Sequence, residues 1–195
     1  MGTSLVIQPM TPPKWHSLSH HGRYRRLQKV RRVWCRYSHS RVLEDRTGIT
    51  IHLDGTWITD IPSFYLSLGE AIHGPNGYFG ACLDALDDCL CGRFGILPPL
   101  TIRLSHFDDV RKALDGRAWC RFHAEVFDAT ESEELLVQNG FLGDGSEADI
   151  AYWTALYEAA LAGEPFEADD IRPYFDVLRE ILASRGVEMV TDVAG

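Results

Sequence analysis

Nowhere in this 195-residue chain does an apolar run approach the roughly 20 residues that a membrane-spanning helix needs. Met1 to His21 also lacks the continuous apolar segment of a secretory leader, because prolines and histidines interrupt it. A soluble, cytoplasmic protein is the resulting expectation. Cysteines are few and odd in number, five in all at positions 35, 82, 89, 91 and 120, which argues for reduced thiols over a disulfide framework. The paired cysteine spacing of a zinc site is missing. His16 with His20, Cys35 with His39, and Cys120 with His123 are fragments that complete no ligand set. Asp144-Gly145-Ser146 begins like a calcium loop but lacks oxygen ligands at regular alternate positions. No Gly-x-Ser-x-Gly elbow is present, and scattered Ser, His and Asp do not make a triad. These absences weigh against an enzyme and give no reason to expect a cofactor or a metal. With 45% hydrophobic residues, the chain can bury one sizeable core and carry an appendage.

The net charge of −9 conceals a split. Residues 1 to 48 hold ten Lys or Arg against two Asp or Glu, about +8, which leaves nine against 26, about −17, for the remainder. An anionic domain of this kind repels nucleic acid and accelerates encounter with basic partners. The basic segment packs Arg23, Arg25, Arg26, Lys29, Arg31 and Arg32 into ten residues. That density suits a grip on RNA or another anionic surface. It equally suits a disordered arm, a segment folded back on the acidic domain, or upstream sequence read in from an over-long gene prediction.

Proline, serine and histidine make Met1 to His21 read as a tail. Alternation of Val33, Cys35 and Tyr37 suggests an extra edge strand over Arg32 to Tyr37. The folded domain is expected to start near Ile49, where Ile49 to Leu53 alternates as a strand before the turn at Asp54-Gly55. A capped helix follows from Asp60, with Phe64, Leu68, Ala71 and Ile72 as its apolar stripe, Pro62 in the first turn and Gly74-Pro75 beyond the end. Leu100 to Leu104 reads as a strand and His106 to Leu114 as a short helix. Trp119 to Phe127 suits either strand or helix, whereas Ala148 to Leu161 reads as a helix between a Ser146 cap and Gly163. Tyr174, Phe175, Leu178, Ile181 and Leu182 form the stripe of a last helix, Gly186 stops it, and Val187 to Val193 closes as a strand. Strands separated by helices imply an α/β fold with a small three-stranded parallel sheet.

The segment Gly77 to Gly92 carries the strongest functional signal. At about 100° per residue, Leu83, Ala85, Leu86, Cys89 and Leu90 share one arc of a short helix, and Asp84, Asp87 and Asp88 share the other. The helix dipole favours Asp84 in the first turn, but three like charges at this spacing repel one another. A solvated face would tolerate them. Their oxygens would also suit Mg²⁺, yet neither a phosphate-binding glycine loop nor a second acidic helix motif accompanies them.

The Tyr78-Phe79-Gly80 turn followed by Leu83-Asp84-Ala85-Leu86 and Asp88-Cys89-Leu90, with the ordered strands and helices around it, resembles the barstar-like family of ribonuclease inhibitors and toxin-immunity proteins. The likeness covers residues 49 to about 114 and again about 170 to 193. It implies a basic N-terminal extension over 1–48, and a barstar-like domain over 49–195 with an insertion at about 116–168. It also implies an intracellular inhibitor of a basic ribonuclease or related nuclease toxin, monomeric in a 1:1 complex. No membrane is involved, and nucleic acid could bind only through the N-terminal arm. Carried over by position, Asp88 stands at the central phosphate-mimicking carboxylate and Asp84 at its supporting neighbour. Tyr78 stands at an interface tyrosine, Gly80 and Gly92 at interface glycines, and Glu180 at a peripheral interface acid. Taken alone, Tyr78 also suits a core aromatic and Glu180 a plain surface charge. Three binding-turn positions depart from the family pattern. Cys82 replaces an asparagine, Asp87 a tryptophan, and Arg93 an aromatic after Gly92, so a related mode of binding is expected but not necessarily the same target. Asp87 is expected to strengthen the local anionic field. The alternative function is an RNA-associated adaptor that uses the basic segment.

Overall fold

The computed structural model describes residues 11–38, 43–128, 146–164 and 171–191. Contacts divide the chain into two compact units, one of residues 1–113 with 175–195 and one of residues 114–174. The expected three-stranded parallel sheet is present in the first unit. Strands β1 (Ile49–Leu53), β2 (Leu100–Leu104) and β3 (Val187–Thr191) lie in the order β1-β2-β3, with Ile51 opposite Ile102 and Ile102 opposite Met189. Ile49, Ile51, Leu53, Leu100, Ile102 and Leu104 are buried while the residues between them are half-buried or exposed, the two-residue period of a sheet with one core face.

Helix α1 (His20–Ser38) corrects both expectations made for the N-terminal segment. Residues 32 to 37 are helical rather than an edge strand, and within the segment expected as a tail, the described residues 11–21 form turns and the start of α1. Alternation at Val33, Cys35 and Tyr37 misled because the longer three-to-four-residue spacing of Tyr24, Leu27 and Val30 governs the segment. Those three are buried, as is Trp15 in the turns before the helix. Helix α2 (Ile61–His73) begins at a capping box in which Ser63 N donates to Asp60 Oδ1 at 2.8 Å and Asp60 N donates to Ser63 Oγ at 2.9 Å. The second oxygen of the same carboxylate fastens α1: Asp60 Oδ2 lies 2.8 Å from Arg23 Nε, 2.6 Å from Arg23 Nη2 and 3.0 Å from His20 Nδ1. One buried carboxylate thus starts α2 and docks α1. Burial pushes the Asp60 carboxyl up, but the hydrogen bonds from His20, Arg23 and the Ser63 backbone, with the Arg23 charge, outweigh it and hold the group at about 2.

Helices α3 (Leu83–Leu90), α4 (Phe107–Ala113) and α7 (Tyr174–Ser184) complete this unit. In the second unit, α5 (Gly116–Asp128) packs against α6 (Glu147–Ala162), and the ambiguous stretch from Trp119 is helical. Phe122 and Ala124 of α5 and Leu156, Tyr157 and Ala160 of α6 are buried. Trp119 Nε1 donates to His123 Nε2 at 2.9 Å, and burial lowers the His123 imidazole to about 4. Residues 129–145 and 165–170, within which the calcium-like Asp144-Gly145 falls, lie outside the described residues, as do His39 and the end of the last strand at 192 and 193.

Candidate functional site

The glycine loop 74–80 enters α3 against α2. A Cβ on Gly77 would stand 2.1 Å from the Gly69 carbonyl oxygen, so only glycine lets this loop cross α2 so closely. Gly80 adopts φ +88, and a Cβ there would meet the Leu86 backbone at 2.9 Å. Both glycines therefore set where α3 starts. Leu86, Cys89 and Leu90 turn into the core with exposures of 0 to 3%, while Leu83 and Ala85 are half-buried. Burial pushes the Cys89 thiol up to about 12, so it remains a neutral packing group. All five cysteines are free thiols.

Asp84 and Asp88 are exposed, one helical turn apart on the outer side of α3. Among the described residues neither makes a salt bridge or a hydrogen bond through its side chain. Asp87 differs. Arg185, just past the end of α7, grips both of its carboxylate oxygens, and this pair holds the Asp87 carboxyl below its usual range. Asp87 was expected to strengthen the anionic field, but Arg185 sets an opposite charge against it. Asp87 and Asp88 stand in the last turn of the helix, where the dipole disfavours anions. Arg185 bonds one of them directly and reaches Asp88 only through its charge, without a hydrogen bond.

Beyond α3, the chain turns through Gly92 at φ +102, Arg93 at φ +72 and Gly95 at φ +80. The Asp45 carboxylate fastens this turn, accepting from Arg93 N at 2.8 Å and Gly95 N at 2.9 Å. The Arg93 side chain is exposed next to the end of α3, and Gly92 is half-buried. Cys82 is half-buried at the N-cap and gives the helix no side-chain hydrogen bond. Glu180 is exposed on α7, about one and a half turns before the Arg185 that meets Asp87.

Tyr78 takes the core position of its two readings. It is 4% exposed, its ring lies 6.3 Å from that of Trp34 on α1, and burial pushes its hydroxyl well above the ordinary tyrosine value. Trp34 also stacks at 4.6 Å on His73, whose imidazole is lowered to about 4 by burial and by the Arg46 charge. Gly80 is buried with Tyr78. The structure thus brings Asp84 and Asp88 to the surface on one helix, ties Asp87 to α7, and places Tyr78 under α1. Sequence reasoning missed Arg185, Asp45 and Trp34. The spacing of Trp34 from Val30 and Leu27 was the one available sign that it faces inward.

Residues 49–138 match the family described as barstar (barnase inhibitor). The matched segment is barstar-like. It contains β1, β2 and α2 to α5, and therefore the whole of the 77–93 surface, whereas β3 and α7 lie beyond the match. Proteins of that family are ribonuclease inhibitors rather than enzymes. No curated protein and no solved structure matches the chain. No helix among the described residues is long and apolar enough to cross a membrane, and no cluster of three or more His, Cys, Asp or Glu among them could hold a metal ion.

Proposed function

We propose that this protein inhibits a basic ribonuclease, or a related nuclease toxin, by inserting the Asp84 and Asp88 side of α3 into the cleft where the enzyme would hold a phosphate. The observation that carries this reading is the pair of exposed, unpaired carboxylates one turn apart on a helix whose opposite side is locked into the core. A ribonuclease cleft lined by Arg, Lys and His donates to phosphate oxygens, and carboxylates accept the same bonds without offering a bond to cleave. Rigidity matters because desolvating the charges is expensive unless their geometry is fixed beforehand. Gly77, Gly80 and the buried Leu86, Cys89 and Leu90 supply that fixation. The exposed Glu180 lies off the apolar stripe of α7 and would add a peripheral acid, while Arg93 disfavours any partner with a cation at that spot.

The test is protection of cells against a co-expressed nuclease toxin, with affinity for the purified toxin as the quantitative readout. Replacing Asp88→Ala should weaken binding by about 30-fold to several thousand-fold, the 2–5 kcal/mol range for removing one partner of a buried interfacial charge pair, with an unchanged melting curve. Full protection by the Asp88→Ala and Asp84→Ala double variant would overturn the proposal.

A further inference from the structure

Helix α1 carries a second surface that the inhibitor reading leaves unused. Its inward side is occupied: Tyr24, Leu27 and Val30 are buried, and Arg23 is held by Asp60. At about 100° per residue, Arg25, Lys29, Arg32 and Arg36 fall within about 60° of one another on the opposite side, and all four are exposed. No acidic residue occurs anywhere in the 19 residues of α1, and among the described residues none of the four makes a salt bridge. Arg32 Nε donates only to the Gln28 carbonyl oxygen, at 3.4 Å. From Arg25 to Arg36 the stripe runs along about 16 Å of helix.

We infer that this stripe binds the phosphate backbone of RNA. Like charges at these spacings repel one another and destabilise an isolated helix, so the stripe is not explained by folding. Three guanidiniums and one ammonium in a row match a regularly charged polyanion, and each guanidinium can grip a phosphate bidentately. A lipid surface fits poorly. An interfacial helix must sink its apolar side into the bilayer, and here that side is already committed to the protein core. The strongly acidic remainder of the chain confines any polyanion to this one helix. Contacts of this kind are insensitive to base sequence, because they read phosphate alone.

The experiment measures binding of the full chain to a labelled, mixed-sequence single-stranded RNA oligonucleotide by fluorescence anisotropy across a salt series. Four phosphate contacts predict a slope of log K against log salt of about −3, a loss of about 50-fold in affinity between 50 and 200 mM. The quadruple variant Arg25→Gln, Lys29→Gln, Arg32→Gln, Arg36→Gln should abolish this binding while its melting curve and toxin inhibition stay unchanged. Replacing the three arginines by Lys should retain it. Asp84→Asn with Asp88→Asn should leave RNA binding intact while removing inhibition, which keeps the two readings separately testable. Undiminished RNA binding by the quadruple variant would overturn the inference. So would absence of binding by the wild type at low salt, a preference for double-stranded DNA, or a preference for vesicles of phosphatidylcholine and phosphatidylserine.

Discussion

Helices α1 and α3 solve one packing problem with opposite charge. Each buries an apolar stripe in the same unit and holds out a charged one, cationic on α1 and anionic on α3. They differ in what becomes of the charges. On α3, Arg185 takes Asp87 and leaves Asp84 and Asp88 exposed; on α1, Asp60 takes Arg23 and leaves Arg25, Lys29, Arg31, Arg32 and Arg36 exposed. The pair near the core, Arg23 with Asp60, fastens its helix, the exposed Asp87–Arg185 pair only takes a charge out of play, and the unpaired charges are free to meet a partner. Trp34 adds an asymmetry, since α1 covers the tyrosine that leads into α3. The basic segment is therefore part of the folded unit, and its removal is expected to disturb the acidic surface.

Deleting residues 1–38 breaks the comparison most severely. Burial of Trp15, Tyr24, Leu27 and Val30 stabilises by about 6–12 kcal/mol at about 1.5–3 kcal/mol per side chain, comparable with the whole stability of a typical domain. The truncated chain should lose its cooperative thermal transition, and a sharp melt near that of the full chain would show that α1 is dispensable.

Replacing Asp60→Ala comes next. It leaves the half-buried Arg23 without its carboxylate and removes the cap of α2, and denaturant titration should register a loss of about 3–5 kcal/mol. The pH dependence follows from the same group. Asp60 has its folded value at about 2, below the ordinary 3.8, so its contribution is complete above about pH 4 and disappears as the pH falls through 2. His73 and His123 are lowered from 6.5 to about 4, which makes their contribution complete above pH 6.5 and lost on the way down to 4. The melting temperature should therefore decline in two stages on acidification, and a His73→Gln, His123→Gln double variant should flatten only the upper one.

A smaller change sharpens the contrast between buried and exposed site residues. Tyr78→Phe should leave toxin affinity within about threefold of wild type, whereas a large loss would place the Tyr78 hydroxyl at the interface and require α1 to move on binding. The smallest effect is expected from Arg185→Ala. It frees the Asp87 carboxylate, so melting should be unaltered because an exposed ion pair contributes little, and association with a basic toxin at low salt should speed up modestly. Slower association would show that Arg185 serves to hold α3 in place.

The regular elements were legible where a single local signal dominated. Alternation at Ile49 to Leu53, the Asp60 cap with Pro62, and the apolar stripe of α7 mark their elements because period and capping act within a few residues. Arg32 to Tyr37 failed because a short alternating run lies inside a longer helical pattern, and the burial of Tyr24, Leu27, Val30 and Trp15 that decides between them is a tertiary property. In the candidate site, the acidic arc of α3 could be seen in the sequence, but which of its three charges remains available could not.

What the sequence determined alone is the set of parts: three strands, the amphipathic helices, the glycine-bounded turn and the separation of positive from negative charge along the chain. The tertiary structure decided which charges are spent on holding the fold and which remain outside. Arg185 reaches Asp87 from 98 positions away, Arg23 reaches Asp60 from 37, and Trp34 packs on Tyr78 from the other side of α2 in the sequence. Neutralisation and burial depend on distance in space, and residue spacing along the chain encodes that distance only over a turn or two of helix.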